Sequence, residues 1–236
     1  SNQELANTIE NHTPEHRDRI YPPLKTLSMF IAQALSEDRS CSKAVIDMII
    51  QSQDHKTKVS PNTGGYCLAR QKLPLPLLTE LTTEIGELVV NKIPSNWRWK
   101  GRRVCIIDGS SLTMPDTEKS QAVFPQQGSQ KPGLGFPICR FLVVTCLATG
   151  VILNAAIGPF KGKGSDEQSL LRKVIDTFRP GDIVLGDAFF GTYFLLTEMI
   201  ERGVDVLFEQ LGSRKLTTDF GKGFALGNKN QNTKDQ

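Results

Sequence analysis

Up to Val90 the apolar positions recur at helical spacing. Beyond Arg103 they come in short, strand-length runs. Leu24, Leu27, Phe30, Ile31, Ala34 and Leu35 predict an amphipathic helix over 24–35. Val45, Ile46, Ile49 and Ile50 predict a second, with Ser40 or Ser42 as its cap. After the turn cluster Ser60-Pro61-Asn62-Thr63-Gly64-Gly65, a third helix is expected over 66–73, stopped by Pro74. A fourth, over 77–90, carries Leu78, Leu81, Ile85, Leu88 and Val89. Strands are expected at 103–107, 141–148, 151–157, 183–185 and 204–208. Thr149-Gly150 suggests an antiparallel hairpin between the second and third. Ser165 and Gln168 have the spacing of a capping box opening a helix that Pro180-Gly181 ends. Another helix is expected over 192–202, closed by Gly203. The order is strand, long loop, hairpin, helix, strand, helix, strand. The fold class read from it is mixed α/β, a mixed sheet with flanking helices preceded by a helical domain. The domain reading is 1–100 helical, 101–211 the sheet-bearing core and 212–236 a polar tail.

Two of the strands end in an acid. Asp108 follows Val104-Cys105-Ile106-Ile107 and opens Asp108-Gly109-Ser110, and Asp187 follows Ile183-Val184-Leu185-Gly186. Carboxylates held on neighbouring strand ends form a hard oxygen site suited to Mg²⁺ or Mn²⁺. Such a site can drive in-line attack on a phosphodiester.

The net charge is only +3, so distribution matters more than the total. Residues 88–107 contain no acid but hold Lys92, Arg98, Lys100, Arg102 and Arg103 around Trp97 and Trp99. Residues 119–165 are again free of Asp and Glu. Folded around Asp108, these stretches give a positive field suited to a phosphate backbone; the plainer reading is a solvated basic surface. The candidate DNA contacts are Arg70 and Lys72 on the third helix, Arg98, Lys100, Arg102 and Arg103, and Lys131 in the long loop. The five cysteines form no C-x-x-C pair, and Pro14 between His12 and His16 argues against a helical metal pair. No apolar run approaches membrane-spanning length, and the polar start lacks a signal pattern, so a cytoplasmic protein is expected, without a membrane partner. The first residue is Ser1, which reads as a processed or cloned piece of a longer chain.

Four segments together resemble the DDE transposases of the insertion-sequence-four family, which have a ribonuclease-H-like core. They are Val59 to Arg70; Asp108-Gly109-Ser110 through Met114-Pro115-Asp116; Phe124-Pro125 through Lys131-Pro132-Gly133-Leu134-Gly135-Phe136-Pro137; and Gly181 through Asp187 to Phe190. The resemblance implies metal-dependent cleavage and strand transfer at the ends of an insertion sequence. It assigns Asp108 and Asp187 as catalytic, metal-binding acids, with Mg²⁺ or Mn²⁺ as cofactor. It also implies double-stranded DNA (transposon ends and target) as partner, self-association in a synaptic complex, and a nucleoid-associated location. The third acid of the family is a Glu in a later Tyr/Arg/Glu/Lys motif, and no such motif follows Asp187 here. Residues 212–236 would begin the family's β-rich insertion. Ala188 stands where many relatives carry a basic side chain. Glu198, Glu201 and Glu209 are the acids weighed as substitutes for the third ligand.

Three other readings compete. A truncated, non-catalytic DNA-binding transposase fragment accounts for the missing acid. A poorly folding remnant would expose apolar sheet surface. A nucleotide-binding loop at Gly158–Ser165 fails because its glycine spacing is one residue short and Gly164 follows Lys163 where Ser or Thr is needed.

Overall fold

The computed structural model describes residues 2–13, 20–52 and 59–209. His16 and the polar tail expected at 212–236 lie outside them. The chain divides into two compact units, residues 1–93 with 151–155, and residues 94–150 with 156–236.

The described residues of the first unit form five helices: α1 (Asn2–His12), α2 (Pro23–Leu35), α3 (Cys41–Gln51), α4 (Gly64–Gln71) and α5 (Leu75–Asn91). Ser40 rather than Ser42 caps α3, accepting from the Lys43 N–H at 3.1 Å. The Asn62 side chain accepts from the Gly64 N–H and sets the turn into α4. Two apolar clusters close the bundle: Ile9, Leu27, Leu77 and Leu81, and a second around Met29, Val45, Met48 and Tyr66. Tyr66 is fully buried, and its hydroxyl donates to Gln33 Oε1 at 2.8 Å. That bond removes the cost of burying an unsatisfied phenol.

Among the described residues, five strands form one sheet in the order β3-β2-β1-β4-β5, with β1 (Val104–Thr113), β2 (Ile138–Cys146), β3 (Ile152–Pro159), β4 (Ile183–Gly186) and β5 (Asp205–Phe208); all but the first half of β3 belong to the second unit. β1 runs antiparallel to β2 and parallel to β4, and β4 runs parallel to β5. The Phe160 N–H reaches the Ile138 carbonyl, as an antiparallel β2–β3 hairpin requires. Helices α7 (Glu167–Lys173) and α8 (Tyr193–Glu201) connect β3 to β4 and β4 to β5. This is the mixed α/β architecture, a mixed sheet with flanking helices, expected from the sequence. Side-chain alternation explains the packing. Cys105 and Ile107 of β1 and Leu142, Val144 and Cys146 of β2 share one face and are buried, as are Leu170 and Leu171 of α7.

Three local readings change. β1 does not end at Asp108 but continues to Thr113, because β2 supplies a partner along its whole length while β4 does not. The long loop contains a short helix, α6 (Glu118–Val123), capped by Thr117. The capping box at Ser165 is displaced by one residue. Asp166 is the cap, accepting from the Ser169 N–H at 2.9 Å, while the Ser165 hydroxyl donates to the Gly162 carbonyl. Asp preceded by Ser offers two cap candidates, and the carboxylate, which also accepts from the Ser169 hydroxyl, takes the position.

The hydrogen bond from the Ser169 side chain is the main reason the Asp166 carboxyl titrates below its ordinary range. Asp166→Ala is expected to cost about 1 kcal/mol, the usual loss of an N-cap. Because the folded carboxyl is the stronger acid, that contribution is complete above the unfolded value, about pH 3.9, and fades as pH falls through the lowered folded value. Urea unfolding of wild type and variant at neutral and acid pH measures both.

Candidate active site at the open edge of the first strand

Asp108 and Asp187 each lie two residues past the last paired positions of the β1–β4 ladder. The β1–β4 ladder pairs Val104 with Ile183, Cys105 with Val184 and Ile106 with Leu185. Beyond it, a Cβ on Gly186 would lie 2.9 Å from Ile107 Cγ1 and 3.0 Å from Phe208 Cε1, so Ile107 and Gly186 stand side by side. Only glycine fits between those two side chains. The next residues along are Asp108, still within β1, and Asp187, which follows the end of β4. Both aspartates are exposed.

Each is anchored by its own surroundings. Past Asp108 the backbone of β1 stays paired to β2, with Asp108 opposite Val143. On its other edge no β4 residue pairs with β1 beyond Ile106. After Asp187 the chain turns: the Phe189 N–H donates to Asp187 Oδ1 at 2.9 Å, and Phe190 is buried against Phe208, with ring centroids 6.2 Å apart. That turn is tied to the start of α7, where Gln168 Nε2 donates to the Phe189 carbonyl and Gln168 Oε1 accepts from the Thr192 hydroxyl.

A third acid, which the sequence reading did not single out, is held next to this pair. Glu167 is the first residue of α7, and its side chain lies over Gly109: a Cβ there would be 2.5 Å from the Glu167 carboxyl carbon. Burial pushes the Glu167 carboxyl above its ordinary range. Arg140 pulls the other way, and Asp187, Asp108 and Asp166 add repulsion. The available signal was its place beside the cap, obscured by taking Ser165 as that cap. The acids weighed from sequence go elsewhere. Glu198 pairs with Arg172 at 3.1 Å, Glu201 is exposed on α8, and Glu209 follows β5, its N–H directed to the Gly186 carbonyl.

The donors are hard carboxylate oxygens, which suit Mg²⁺ or Mn²⁺. Among the described residues, no three His, Cys, Asp or Glu side chains stand close enough in their present rotamers to hold a cation.

The candidate DNA contacts separate into two kinds. Lys72, Lys100 and Lys131 are exposed. Lys100 lies over the Trp99 ring at 4.8 Å, and Lys131 sits in a loop whose Gly133 and Gly135 N–H groups donate to Gln126 Oε1. Arg98 is half-buried. The other arginines serve their own fold. Arg70 stacks on Phe30 at 4.6 Å and donates to Gln33. Arg102 donates to the Gly181 and Asp182 carbonyls and pairs with Asp205. Arg103 is buried and held in a two-point ion pair by Asp182. The expectation that Arg103 faces DNA is corrected on that geometry, since a side chain enclosed by protein has no surface to offer a phosphate.

The family model described as "Transposase DDE domain" matches residues 99–236, more than half of the chain. No curated protein matches. Among solved structures, the chain is similar to the piggyBac transposase in a synaptic complex with hairpin DNA, at 8% identity and a TM-score of 0.42, covering 89% of this chain and 48% of that one. It is also similar to the Mos1 transposase in a paired-end complex with the left transposon end, at 11% identity and a TM-score of 0.28, covering 82% of this chain and 60% of that one. The chain therefore spans less than two thirds of either protein's length. No described helix is long and apolar enough to cross a membrane.

Proposed function

The chain belongs to the family of transposase DDE domains, and from that premise we propose that it carries the catalytic core of a transposase of the insertion-sequence-four type, cleaving and joining DNA strands at the ends of a mobile element. The observation that supports the reading is the parallel register of β1 and β4, which leaves Asp108 and Asp187 equally far beyond the last paired residues, Ile106 and Leu185. These two carboxylates would hold Mg²⁺ or Mn²⁺, which would supply Lewis-acid stabilisation for in-line displacement at a phosphodiester. The residues themselves do the orienting. Gly186 lets β4 approach β1 closely, the Phe189 N–H fixes Asp187 Oδ1, and buried Phe190 anchors the turn behind it. Ser110, one residue beyond Gly109 and exposed, is placed to donate to a phosphate oxygen. Lys100 and Lys131 supply the positive charge that attracts the DNA backbone, with Lys72 and Arg98 as further contacts. In this reading residues 1–100 form a DNA-binding domain and residues 101–211 the catalytic core. The protein works in the cytoplasm on nucleoid DNA, within a self-associated synaptic complex.

A non-catalytic DNA-binding form is the second reading, favoured by the lack of three closely grouped ligands among the described residues. One experiment separates them. The chain is mixed with supercoiled plasmid and with duplex DNA from the element's ends, with and without Mn²⁺. The catalytic reading expects gel-shift binding in both wild type and Asp108→Asn, and Mn²⁺-dependent nicking in wild type alone. Binding without nicking establishes the second reading. Absence of DNA binding contradicts both.

A further inference from the structure

We infer that Cys41 and Cys67 form a peroxide-reactive thiol pair in the first unit, in which the Cys41 sulfur is oxidised first and Cys67 then closes on it as a disulfide joining α3 to α4. The pair does not depend on the chemistry proposed for Asp108 and Asp187. Three observations carry it.

The first is the set of donors around one sulfur. Cys41 is the first residue of α3. Its Sγ accepts from Arg70 Nη1 at 3.3 Å and from Gln33 Nε2 at 3.6 Å. The Cys67 thiol is a third donor to it. A guanidinium beside a partly exposed sulfur is the setting in which cysteines react. The second is the placement of the partner thiol. Cys67 and Arg70 lie three residues apart on α4 and so share one of its faces, and the Arg70 contact shows that this face meets the start of α3. The hydrogen bond between the two side chains brings the sulfurs within reach of each other. Burial first, and then that hydrogen bond, push the Cys67 thiol above its ordinary range, against the pull of Arg70. Cys67 thus keeps its proton while Cys41 reacts. The third is access. Cys41 and Cys67 are half-buried, whereas Cys105, Cys139 and Cys146 are enclosed in the sheet. A molecule as small as hydrogen peroxide reaches the first two.

The ordinary explanation for a half-buried cysteine is packing as a small hydrophobe, and Cys41 does touch the cluster around Met29 and Tyr66. Packing does not call for a guanidinium and an amide to aim N–H groups at the sulfur.

The chemistry runs in two balanced steps. In the first, the peroxide O–O bond breaks as an S–O bond forms on Cys41. Two electrons pass from sulfur to peroxide, and the products are a sulfenic acid and water. In the second, the Cys67 sulfur displaces the hydroxyl: the S–S bond forms, the S–O bond breaks, and the Cys67 proton leaves with the hydroxyl as water. A small dithiol reverses the product by exchange.

The test treats the 236-residue chain with a small molar excess of hydrogen peroxide at neutral pH. The chain is then unfolded, alkylated and digested without reduction for mass spectrometry. The expected product is a cross-linked peptide pair carrying Cys41 and Cys67, abolished by a dithiol, with Cys105, Cys139 and Cys146 recovered as alkylated thiols. Cys67→Ser is expected to give no cross-link and to accumulate a Cys41 sulfenic acid that a 1,3-diketone traps. Arg70→Gln is expected to slow the loss of the Cys41 thiol about tenfold, the factor carried by one hydrogen bond to a charged group. Circular dichroism checks that each variant keeps its helices. Cys67→Ser, which exchanges one sulfur for oxygen, decides the matter where Arg70→Gln does not fold. The inference is overturned if Cys41 in wild type reacts no faster than Cys105, if the cross-link joins Cys105 to Cys146 (its opposite number on β2) instead, if Cys41 of Cys67→Ser stays a thiol, or if folded Arg70→Gln reacts at the wild-type rate.

Discussion

Asp182→Ala is expected to destabilise the core by about 3–5 kcal/mol, the loss typical when one partner of a buried ion pair is removed. The side chains of Arg103 and Asp182 are 4% and 6% exposed. Arg103 Nε donates to Asp182 Oδ1 at 3.0 Å and Nη2 to Oδ2 at 2.5 Å, while Nη2 also reaches the Thr177 carbonyl. The Arg179 N–H donates to Asp182 Oδ2 as well. Removing the carboxylate leaves a guanidinium in a low-dielectric site without its counter-charge. The pair also has a positional role. It stands immediately before β1 and β4, where the Ile183 N–H donates to the Arg103 carbonyl, and so pins the register of β1 against β4. Urea denaturation measures the loss. A double replacement, Arg103→Met with Asp182→Leu, is expected to recover much of it, because a buried pair exchanged for apolar side chains is often close to neutral. A loss below about 1 kcal/mol in Asp182→Ala would place the pair in solvent instead.

Asp108→Asn and Asp187→Asn are each expected to reduce DNA strand cleavage by about a thousandfold or more. A cation ligand that contributes several kcal/mol of charge stabilisation to phosphoryl transfer accounts for that factor, at 1.36 kcal/mol per decade. Gel-shift affinity is expected to stay near wild type, because both residues are acids and the proposed attraction for DNA rests on lysines. The amide is close in size to the carboxylate and both side chains are exposed, so folding should be unchanged. Cleavage assays in Mg²⁺ and Mn²⁺ measure the effect. Equal rates in wild type and either variant would remove that residue from the site.

The elements that were legible in the sequence are those whose signal is local. The helical spacing from Leu24 to Leu35 corresponds to α2, and the run Ile183-Val184-Leu185 to β4. What was not legible depends on partners distant in sequence. β1 was read as ending at Asp108 because the apolar run stops there; in the fold, Gly109 to Thr113 are held as strand by β2 residues Leu142 to Ile138. Arg103 looked like part of a basic surface because the sequence shows charge and not enclosure; Asp182 is what buries it. Asp108 and Asp187 were recognisable as acids that follow apolar runs, but the parallel ladder that stops two residues short of each depends on strands distant in sequence. Glu167 was the hardest to see. Its position depends jointly on the cap at Asp166, the missing Cβ of Gly109 and the Gln168 clamp, and none of the three alone marks it.

The most direct test of the shared site is a crystal of the chain grown with Mn²⁺ and measured at the manganese absorption edge. An anomalous peak is expected at the open edge of β1, with carboxylate oxygens of both Asp108 and Asp187 at about 2.0–2.2 Å, the range for a small divalent ion bound by oxygen. An ion bound elsewhere, or the two carboxyl groups turned to opposite faces of the sheet with no peak between them, would contradict the account.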